Sequence, residues 1–362
     1  MYMSRIKPFL FLLAISAIVL VFSSCTTSGS GYGTTTLKNT GADSRTEMPD
    51  WVRDPYTKYD RQANVVAVGS ASSREMAEKS AMGNLVAIFG QSIQVDEKVS
   101  TSYQEAVRNG VTANWSENTA VDTAITTSAR MNSLIGAEIG EVWNDGRNTH
   151  FAVAVLNKAK ASQLYSDMVR ANQAMIDKLT NIPQAEKNTL SGFARYQFAA
   201  TVADMTVPYL NLLSVIGGPV PSFSRGDVFR LEAVNITKAI PVGLTVRNDK
   251  SGRIQGAFAK ALSDLGFSSG GNNSPYLLEV NITTTAVVIA NNQNKFTRIE
   301  LKADLKETKT GTVLLPYDFN NREGHSTQEE ADNRAYISAE RKINAEYVEL
   351  LNNYLSRLLP AK

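Results

Sequence analysis

The feature that most limits how this chain can fold is an apolar run at its amino terminus, followed by the only cysteine. Arg5 and Lys7 precede Phe9–Phe22, in which Ser16 is the only polar residue, and Cys25 comes soon after. A basic segment, an apolar core and then small residues are the layout of a secretory signal. As a helix the run would span about 21 Å, short of the roughly 30 Å of a hydrocarbon core. The sequence therefore predicts a signal peptide over residues 1–24 and a folded part without an internal disulfide.

The position of Cys25, directly after Ser23 and Ser24, resembles the lipobox of bacterial lipoproteins. The resemblance implies that Cys25 is acylated, becomes the first residue of the mature protein and holds it on membrane lipid. Ordinary signal cleavage nearby and an uncleaved anchor remain the alternatives. Thr26 is not acidic, and by resemblance to lipoprotein sorting in Gram-negative bacteria this favours the outer membrane, with the body facing the periplasm.

The charge balance of the chain limits its partners. Residues 1–24 contain no acidic side chain, so the remainder carries 35 basic and 35 acidic residues. This balance argues against nucleic acid as a partner. Residues 25–47 are rich in Gly, Ser and Thr, which predicts a disordered, flexible tether. The remaining sequence, with 43% hydrophobic and 20% charged residues in the whole chain, is typical of globular domains.

Residues 48–156 predict a first small α/β unit. Trp51 is expected to plug the edge of its core, and Ser72 with Glu75 gives a capping box for the first long helix. Asp145-Gly146 predicts a hairpin turn, because glycine accepts positive φ. The elements expected here are a strand at Asn64–Ser70, a helix over 74–93, a polar strand or hairpin within Val95–Ala129, and strands at Leu134–Val142 and His150–Leu156.

Four segments of this unit resemble the Lpp-twenty lipoprotein domain family. They are Pro49–Val52, Val66–Ala71, the alanine-containing helix over 74–93, and Phe151–Val155. The resemblance implies a fold similar to the amino-terminal domain of a flagellar assembly protein and a role in envelope attachment or assembly. It brings no catalytic residues with it.

The next segment, residues 157–216, predicts a helical hairpin. Its second helix carries apolar and aromatic residues at helical spacing, and we interpret this stripe as a face packed against the flanking units. The stripe consists of Leu190, Phe193, Ala194, Phe198, Val202, Met205, Tyr209 and Leu212. Pro208 is expected to bend the end of this helix, and residues 217–227 predict a linker.

Residues 228–362 predict a second α/β unit. Its expected elements are strands at Val228–Ile236 and Ile240–Val246, a helix over 253–265 stopped by Gly266, strands at Leu277–Ala290, Phe296–Lys306 and Thr312–Tyr317, and a long helix opened by a capping box of Ser326 and Glu329. The fold class is therefore α+β, with two small α/β units (strand, helix, strands, helix) separated by a helical hairpin. The repeated order suggests a divergent duplication. The second unit also faintly resembles periplasmic assembly domains of the TolB and CsgG type.

The sequence contains few residues or motifs that are typical of catalytic sites. His150 and His325 are the only histidines, and no spacing typical of a metal site occurs. Gly69-Ser70-Ala71 lacks a phosphate-loop pattern, so we interpret it as a tight turn, and Glu329-Glu330 suits the start of a helix. The sequence thus predicts no catalytic, cofactor-binding or metal-binding residues, no cofactor and no enzyme activity.

Three functional hypotheses follow. The leading one is a membrane-anchored envelope lipoprotein that acts as a non-enzymatic interaction or assembly scaffold. Its expected partners are membrane lipid through acylated Cys25 and other envelope proteins, with self-association as a further option. The second is a periplasmic ligand-binding or transport accessory lipoprotein with a groove between its α/β units. The third is an envelope hydrolase, which would need a serine and an acid clustered around His150 or His325.

Overall fold

The computed structural model describes residues 47–90 and 134–360. The expected tether and the strand or hairpin within Val95–Ala129 lie outside these residues. In chain order the elements are α1 (Asp50–Arg53), a 3-10 turn (Pro55–Thr57), β1 (Asn64–Ala71), α2 (Arg74–Phe89), β2 (Ala137–Asn144), β3 (His150–Asn157), α3 (Lys158–Thr180), α4 (Gln184–Lys187), α5 (Leu190–Ile216), α6 (Gly226–Ala239), β4 (Val242–Arg247), α7 (Arg253–Asp264), β5 (Ser269–Gly270), β6 (Tyr276–Val287), β7 (Lys295–Glu307), β8 (Val313–His325), α8 (Gln328–Lys342), a π-helical turn (Ile343–Tyr347) and α9 (Val348–Arg357). This element content confirms the α+β fold class.

The first sheet has three antiparallel strands in the order β1-β3-β2. The predicted hairpin joins β2 to β3, and Gly146 has a φ of 72° at its turn. The carboxylate of Asp145 accepts hydrogen bonds from the backbone N–H groups of Arg147 and Thr149, at 2.7 and 3.0 Å. These bonds lower the pKa of Asp145, because they favour its charged form.

Both faces of this sheet are covered. Helix α2 packs on one face, where its buried residues Ala77, Ala81 and Leu85 join the main core. On the other face, Trp51 is buried against Val66, Val153 and Val155, as expected for a plug at the edge of the core. The central strand β3 is therefore enclosed from both sides.

The starts of two helices differ from the prediction by one residue. The N-cap of α2 is Ser73, whose hydroxyl accepts from the N–H of Met76 at 3.3 Å, and not Ser72. The N-cap of α8 is Thr327, which accepts from the N–H of Glu330 at 3.3 Å, and not Ser326. In both segments two neighbouring hydroxyl residues could cap the helix, and the second of them does.

Helices α3 and α5 form an antiparallel pair, as expected for a helical hairpin. Tyr165 stacks on Tyr209, with ring centroids 6.1 Å apart, and the amide of Asn172 donates to the Thr206 hydroxyl at 2.8 Å. All eight residues of the predicted apolar stripe on α5 are buried. The helix continues through Pro208 to Ile216. The stripe therefore packs in the core.

A buried arginine on α5 forms hydrogen bonds with the carboxy-terminal end of α3. Arg195 on α5 donates to the carbonyls of Leu179, Lys178 and Asn181, each at 2.8 Å. These carbonyls lie at the carboxy-terminal end of α3. Burial lowers the pKa of the Arg195 guanidinium. The three bonds offset the cost of burying this charge and fix α5 against the end of α3.

The second sheet has five strands in the order β5-β4-β6-β7-β8. Strand β4 runs parallel to β5 and β6, while β6, β7 and β8 are antiparallel. Helices α7 and α8 pack on one face. On that face of β7, Thr297, Ile299, Leu301, Ala303 and Leu305 are buried, whereas the residues between them are exposed or half-buried. The opposite face of the sheet is therefore open and polar.

One expectation for this unit was wrong. Val228–Ile236 is not a strand but lies within α6, because Phe229, Ala233 and Ile236 meet the core at helical spacing. The divergent duplication of the two units stays a prediction, and their strand pairing differs. Strand β1 pairs antiparallel with β3, whereas β4 pairs parallel with β6.

An aromatic cluster lies between the second sheet and its covering helices. The π-helical turn places Tyr347 in the core, where its ring lies 4.8 Å from Phe258 and 5.6 Å from Tyr317 between centroids. Within the described residues, the Tyr347 hydroxyl has no hydrogen-bond partner. Burial raises the pKa of Tyr347 well above the usual tyrosine value and is the main cause that raises the pKa of Tyr317 to about 12.

Candidate interaction surfaces

The residue with the strongest predicted role, Cys25, lies outside the described residues, which begin at Glu47. Its acylation therefore stays a prediction from the sequence. Among the described residues, no group of three or more His, Cys, Asp or Glu side chains could hold a metal ion. One described helix, α5, is long and apolar enough to cross a membrane by length and composition, and 61% of that stretch is buried inside the protein.

The two histidines lie at strand ends and contact amide or hydroxyl groups. His150 begins β3, with its Nε2 3.0 Å from the amide nitrogen of Asn144. His325 ends β8, with its Nδ1 3.4 Å from the Ser326 hydroxyl and 3.5 Å from the N–H of Thr327. Within residues 47–90 and 134–360, neither ring has a carboxylate hydrogen-bond partner. Among the described residues, the cluster that the hydrolase hypothesis requires is therefore not assembled.

The segment Gly69-Ser70-Ala71 is not a tight turn, as the sequence suggested, but the end of β1. Gly69 pairs with Ala152, and Ser70 pairs with Phe151. A Cβ atom at position 69 would lie 2.1 Å from the backbone nitrogen of Ala81 on α2. Glycine is needed here because the backbone of α2 approaches β1 so closely.

Helix α6 presents an exposed apolar face that the sequence reading missed. Val228, Leu231 and Val234 follow each other at intervals of three residues and are 54, 62 and 41% exposed. Asp227 and Lys238 lie on the same solvent-facing side of the helix. We call Val228, Leu231 and Val234 the α6 face. An uninterrupted row of large aliphatic side chains in water is typical of a protein–protein contact.

The α6 face is flanked by two ion pairs that tie the helix to the rest of the protein. Arg230 donates to both carboxylate oxygens of Asp204 on α5, at 2.6 and 3.4 Å. The bond to Asp204 is the main cause that raises the pKa of Arg230. Lys187 on α4 lies 3.3 Å from the carboxylate of Glu232, two residues further along α6. These contacts fix which side of α6 faces solvent.

A cleft of about 240 Å³ lies between α5 and α9. Its lining contains no ionisable side chain and comprises Phe193, Ala194, Gln197, Phe198, Thr201, Leu265, Asn352, Leu355, Ser356 and Leu359. The volume is below the roughly 300–1,000 Å³ of typical small-molecule pockets. The cleft could hold at most a small, uncharged, mainly apolar group.

Comparison with known proteins gives a family for the first unit. Residues 49–157, less than a third of the chain, match the family model described as LPP20 lipoprotein. No curated protein matches the sequence.

Several solved structures are similar at low identity. A secreted protein of Helicobacter pylori is 13% identical, with 80% of this chain and 97% of that chain covered and a TM-score of 0.42. A minor lipoprotein from Acinetobacter baumannii is 13% identical over 32% of this chain and 92% of that one, with a TM-score of 0.24. A lipoprotein from Neisseria meningitidis is 12% identical over 29% and 99%, with a TM-score of 0.20.

The family match covers the segments that carried the resemblance, from Pro49–Val52 to Phe151–Val155, and confirms it. The similarity proposed between the second unit and TolB or CsgG stays a prediction. Residues 49–157 of this chain match the LPP20 lipoprotein domain.

Proposed function

We propose that this protein is a non-enzymatic scaffold, anchored in the outer membrane by acylated Cys25 and facing the periplasm, that binds another envelope protein through the α6 face. The observation that carries the proposal is the exposure of Val228, Leu231 and Val234 on a helix that the ion pair of Arg230 with Asp204 ties to α5. The partner chemistry that fits is an aliphatic surface of similar size, rimmed by groups that complement Asp227 and Lys238.

Site-specific photocrosslinking in intact cells tests the interaction. A photoreactive amino acid at position 231 should give a discrete adduct with an envelope protein. The same residue at Asn344, an exposed polar position beyond the end of α8, serves as the matched control. Adducts of equal pattern and yield from both positions, or none from position 231, would contradict the scaffold role of the α6 face.

Metabolic labelling with a fatty-acid probe tests the anchor separately. The wild-type chain should be labelled, and Cys25→Ala should abolish the label. Density fractionation of the labelled chain then distinguishes the outer from the inner membrane. An unlabelled wild type, or labelling that survives Cys25→Ala, would remove the anchor without affecting the α6 result.

The cleft between α5 and α9 supports a second candidate function, in which the lipoprotein carries a small uncharged ligand. Native mass spectrometry of the protein purified from envelopes should then show a bound molecule. Ala194→Trp places a large side chain at the lining and should abolish binding, while Ala345→Trp, at an exposed position away from the lining, should not. A protein free of ligand favours the scaffold.

A further inference from the structure

The hairpin of β6 and β7 ends in a tip with an unusual composition. From Val280 to Ile299 the chain contains no acidic residue, and its only charged residues are Lys295 and Arg298. Val288, just beyond β6, is 95% exposed, and Val287 and Ile289 on either side of it are half-buried. The tip therefore combines an exposed valine, an uncharged polar turn at Asn291–Asn294 and positive charge.

Two arginines lie side by side behind this tip. Arg298 on β7 is directly opposite Arg322 on β8. Like charges directly opposite each other destabilise a sheet. Within the described part of the chain, neither guanidinium forms an ion pair, although several other surface arginines do. The juxtaposition therefore carries a cost that an anionic partner would remove.

The guanidinium of Arg322 makes a cation–π contact with an aromatic ring. Its guanidinium carbon lies 5.7 Å from the centroid of the Phe296 ring. Phe296 is opposite Gly324, and a Cβ atom at position 324 would lie 2.5 Å from that ring. The glycine thus lets the ring lie flat against β8, and the ring attracts the cation above it.

The acidic groups near the arginines do not neutralise them. Glu300 follows Arg298 on the same face of the sheet, but it lies opposite Asn320. Glu323 alternates to the other face, where it accepts a hydrogen bond from Asn321 at 2.8 Å. The end of the hairpin therefore keeps a net positive charge.

We propose that the tip of the β6–β7 hairpin docks on an anionic lipid bilayer, with Val288 entering the interface and Arg298 and Arg322 binding lipid phosphates. Position 285, opposite Arg298, is three residues before Val288, so the arginines lie about 10 Å behind Val288 at 3.3 Å per residue. Apolar groups of interfacial proteins enter the boundary between headgroups and acyl chains by about 5–10 Å. The spacing therefore places the guanidinium groups at the level of the phosphates, which they bind well in pairs of parallel hydrogen bonds.

This contact is distinct from the anchor predicted at Cys25 and is compatible with it. Cys25 lies 22 residues before Glu47, and a chain of that length spans at most about 75 Å when fully extended. A folded unit of some 300 residues has a radius of gyration of roughly 20 Å. The chain is thus long enough for the tip to touch the same bilayer in which the lipid is inserted.

An environment-sensitive fluorophore at the tip tests the proposal on the full chain purified from membranes. Ala290→Cys carries the label, and the chain without an added cysteine reports any labelling of Cys25. The probe should shift to shorter wavelength with vesicles of phosphatidylcholine and phosphatidylglycerol, but not with phosphatidylcholine alone. The double variant Arg298→Gln/Arg322→Gln should reduce the ratio of docked to undocked protein by about 30-fold, given roughly tenfold per 1.4 kcal/mol and about 1 kcal/mol per basic residue near the surface.

Two matched controls separate docking from general attraction. A label at Val313→Cys, an exposed apolar position at the opposite end of β8, should not respond. The double variant Lys250→Gln/Lys309→Gln removes two exposed charges elsewhere and should dock like the wild type. The proposal is overturned by an equal response at position 313, by an equal response to neutral vesicles, or by a response that depends on protein concentration without lipid, since the last indicates a second copy of the chain.

Discussion

The two sheets of this protein follow the same order of elements but are covered differently. In the first sheet, β3 is buried on both faces, by α2 on one side and by Trp51 on the other. In the second sheet, α7 and α8 cover one face, and the other face of β7 shows Arg298, Glu300 and Lys302 to solvent. The sequences of the strands reflect this difference in burial. The apolar run in β3 is continuous, whereas β7 alternates between apolar and charged residues.

Comparing the two units shows that the order of elements along the chain does not decide whether both faces of a sheet are covered. In the first unit the segment before β1 folds back over the outer face of the sheet, and in the second unit α6 packs on α5 instead. The second sheet therefore keeps a bare face and a long hairpin, which are exposed surfaces in addition to the α6 face. The following changes test whether the first sheet depends on its double cover and the second does not.

The largest effect is expected from removing the outer cover of the first sheet. Trp51→Ala should lower the free energy of unfolding by about 4 kcal/mol, because it leaves a large cavity beside β3. Urea titration followed by far-ultraviolet circular dichroism measures this loss. Met76→Ala removes an apolar side chain that is 57% exposed on α2 and should change stability by less than about 0.5 kcal/mol. Equal losses from both variants would mean that the outer face is not part of the core.

The free energy of unfolding should depend nearly as strongly on the close approach of α2 to β1. Gly69→Ala forces the helix away from the strand and should cost about 3 kcal/mol in the same titration. Gly83→Ala adds a methyl group on the open side of α2, where nothing lies within 4 Å of the new atom. This control should stabilise the protein by about 0.7 kcal/mol, because alanine favours a helix over glycine. A neutral Gly69→Ala would refute the tight contact.

Two buried tyrosines differ in whether the hydroxyl group has a hydrogen-bond partner among the described residues. The Tyr165 hydroxyl donates to the carbonyl of Ile135 at 2.8 Å, so Tyr165→Phe should cost about 1 kcal/mol. The Tyr347 hydroxyl has no partner within the described residues, so Tyr347→Phe should be neutral or stabilising by up to about 1 kcal/mol. Thermal unfolding of the two variants, measured side by side, gives the difference. A larger loss from Tyr347→Phe would indicate a bound water at that hydroxyl.

The smallest effect is expected on the open face of the second sheet. Lys306 donates to Glu279 at 2.6 Å, and this bond is the main cause that lowers the pKa of Glu279. A carboxylate with a lowered pKa stabilises the folded state at neutral pH, and the contribution is lost as the pH falls below the ordinary value of 4.5. Glu279→Gln should therefore cost a few tenths of a kcal/mol at pH 7 and nothing at low pH. A penalty that persists at pH 3 would mean that the charge is not its cause.

Several parts of this structure could be predicted from the sequence because their signals are local. The Asp145-Gly146 turn, the alternation along β7 and the apolar stripe on α5 each depend on residues a few positions apart. Gly266 ends α7 with a φ of 84°, as its position suggested. The LPP20 resemblance also rested on short segments in chain order.

The candidate surfaces could not be predicted in the same way. Val228–Ile236 contains enough branched residues to suggest a strand, and only packing on α5 makes it a helix with an exposed aliphatic side. The role of Gly69 depends on the backbone of Ala81, and Arg298 meets Arg322 only through the register of β7 and β8.

The sequence by itself determined the elements whose apolar period and turn residues agree, since these act over a few residues of the same segment. It also contains the predicted signal peptide and Cys25, on which the predicted anchor rests. Only the tertiary structure decided the pairing of β4 with β6, the cover over each sheet and the surfaces left exposed. The physical reason is that register and burial depend on contacts between residues far apart in the chain, which no local pattern records.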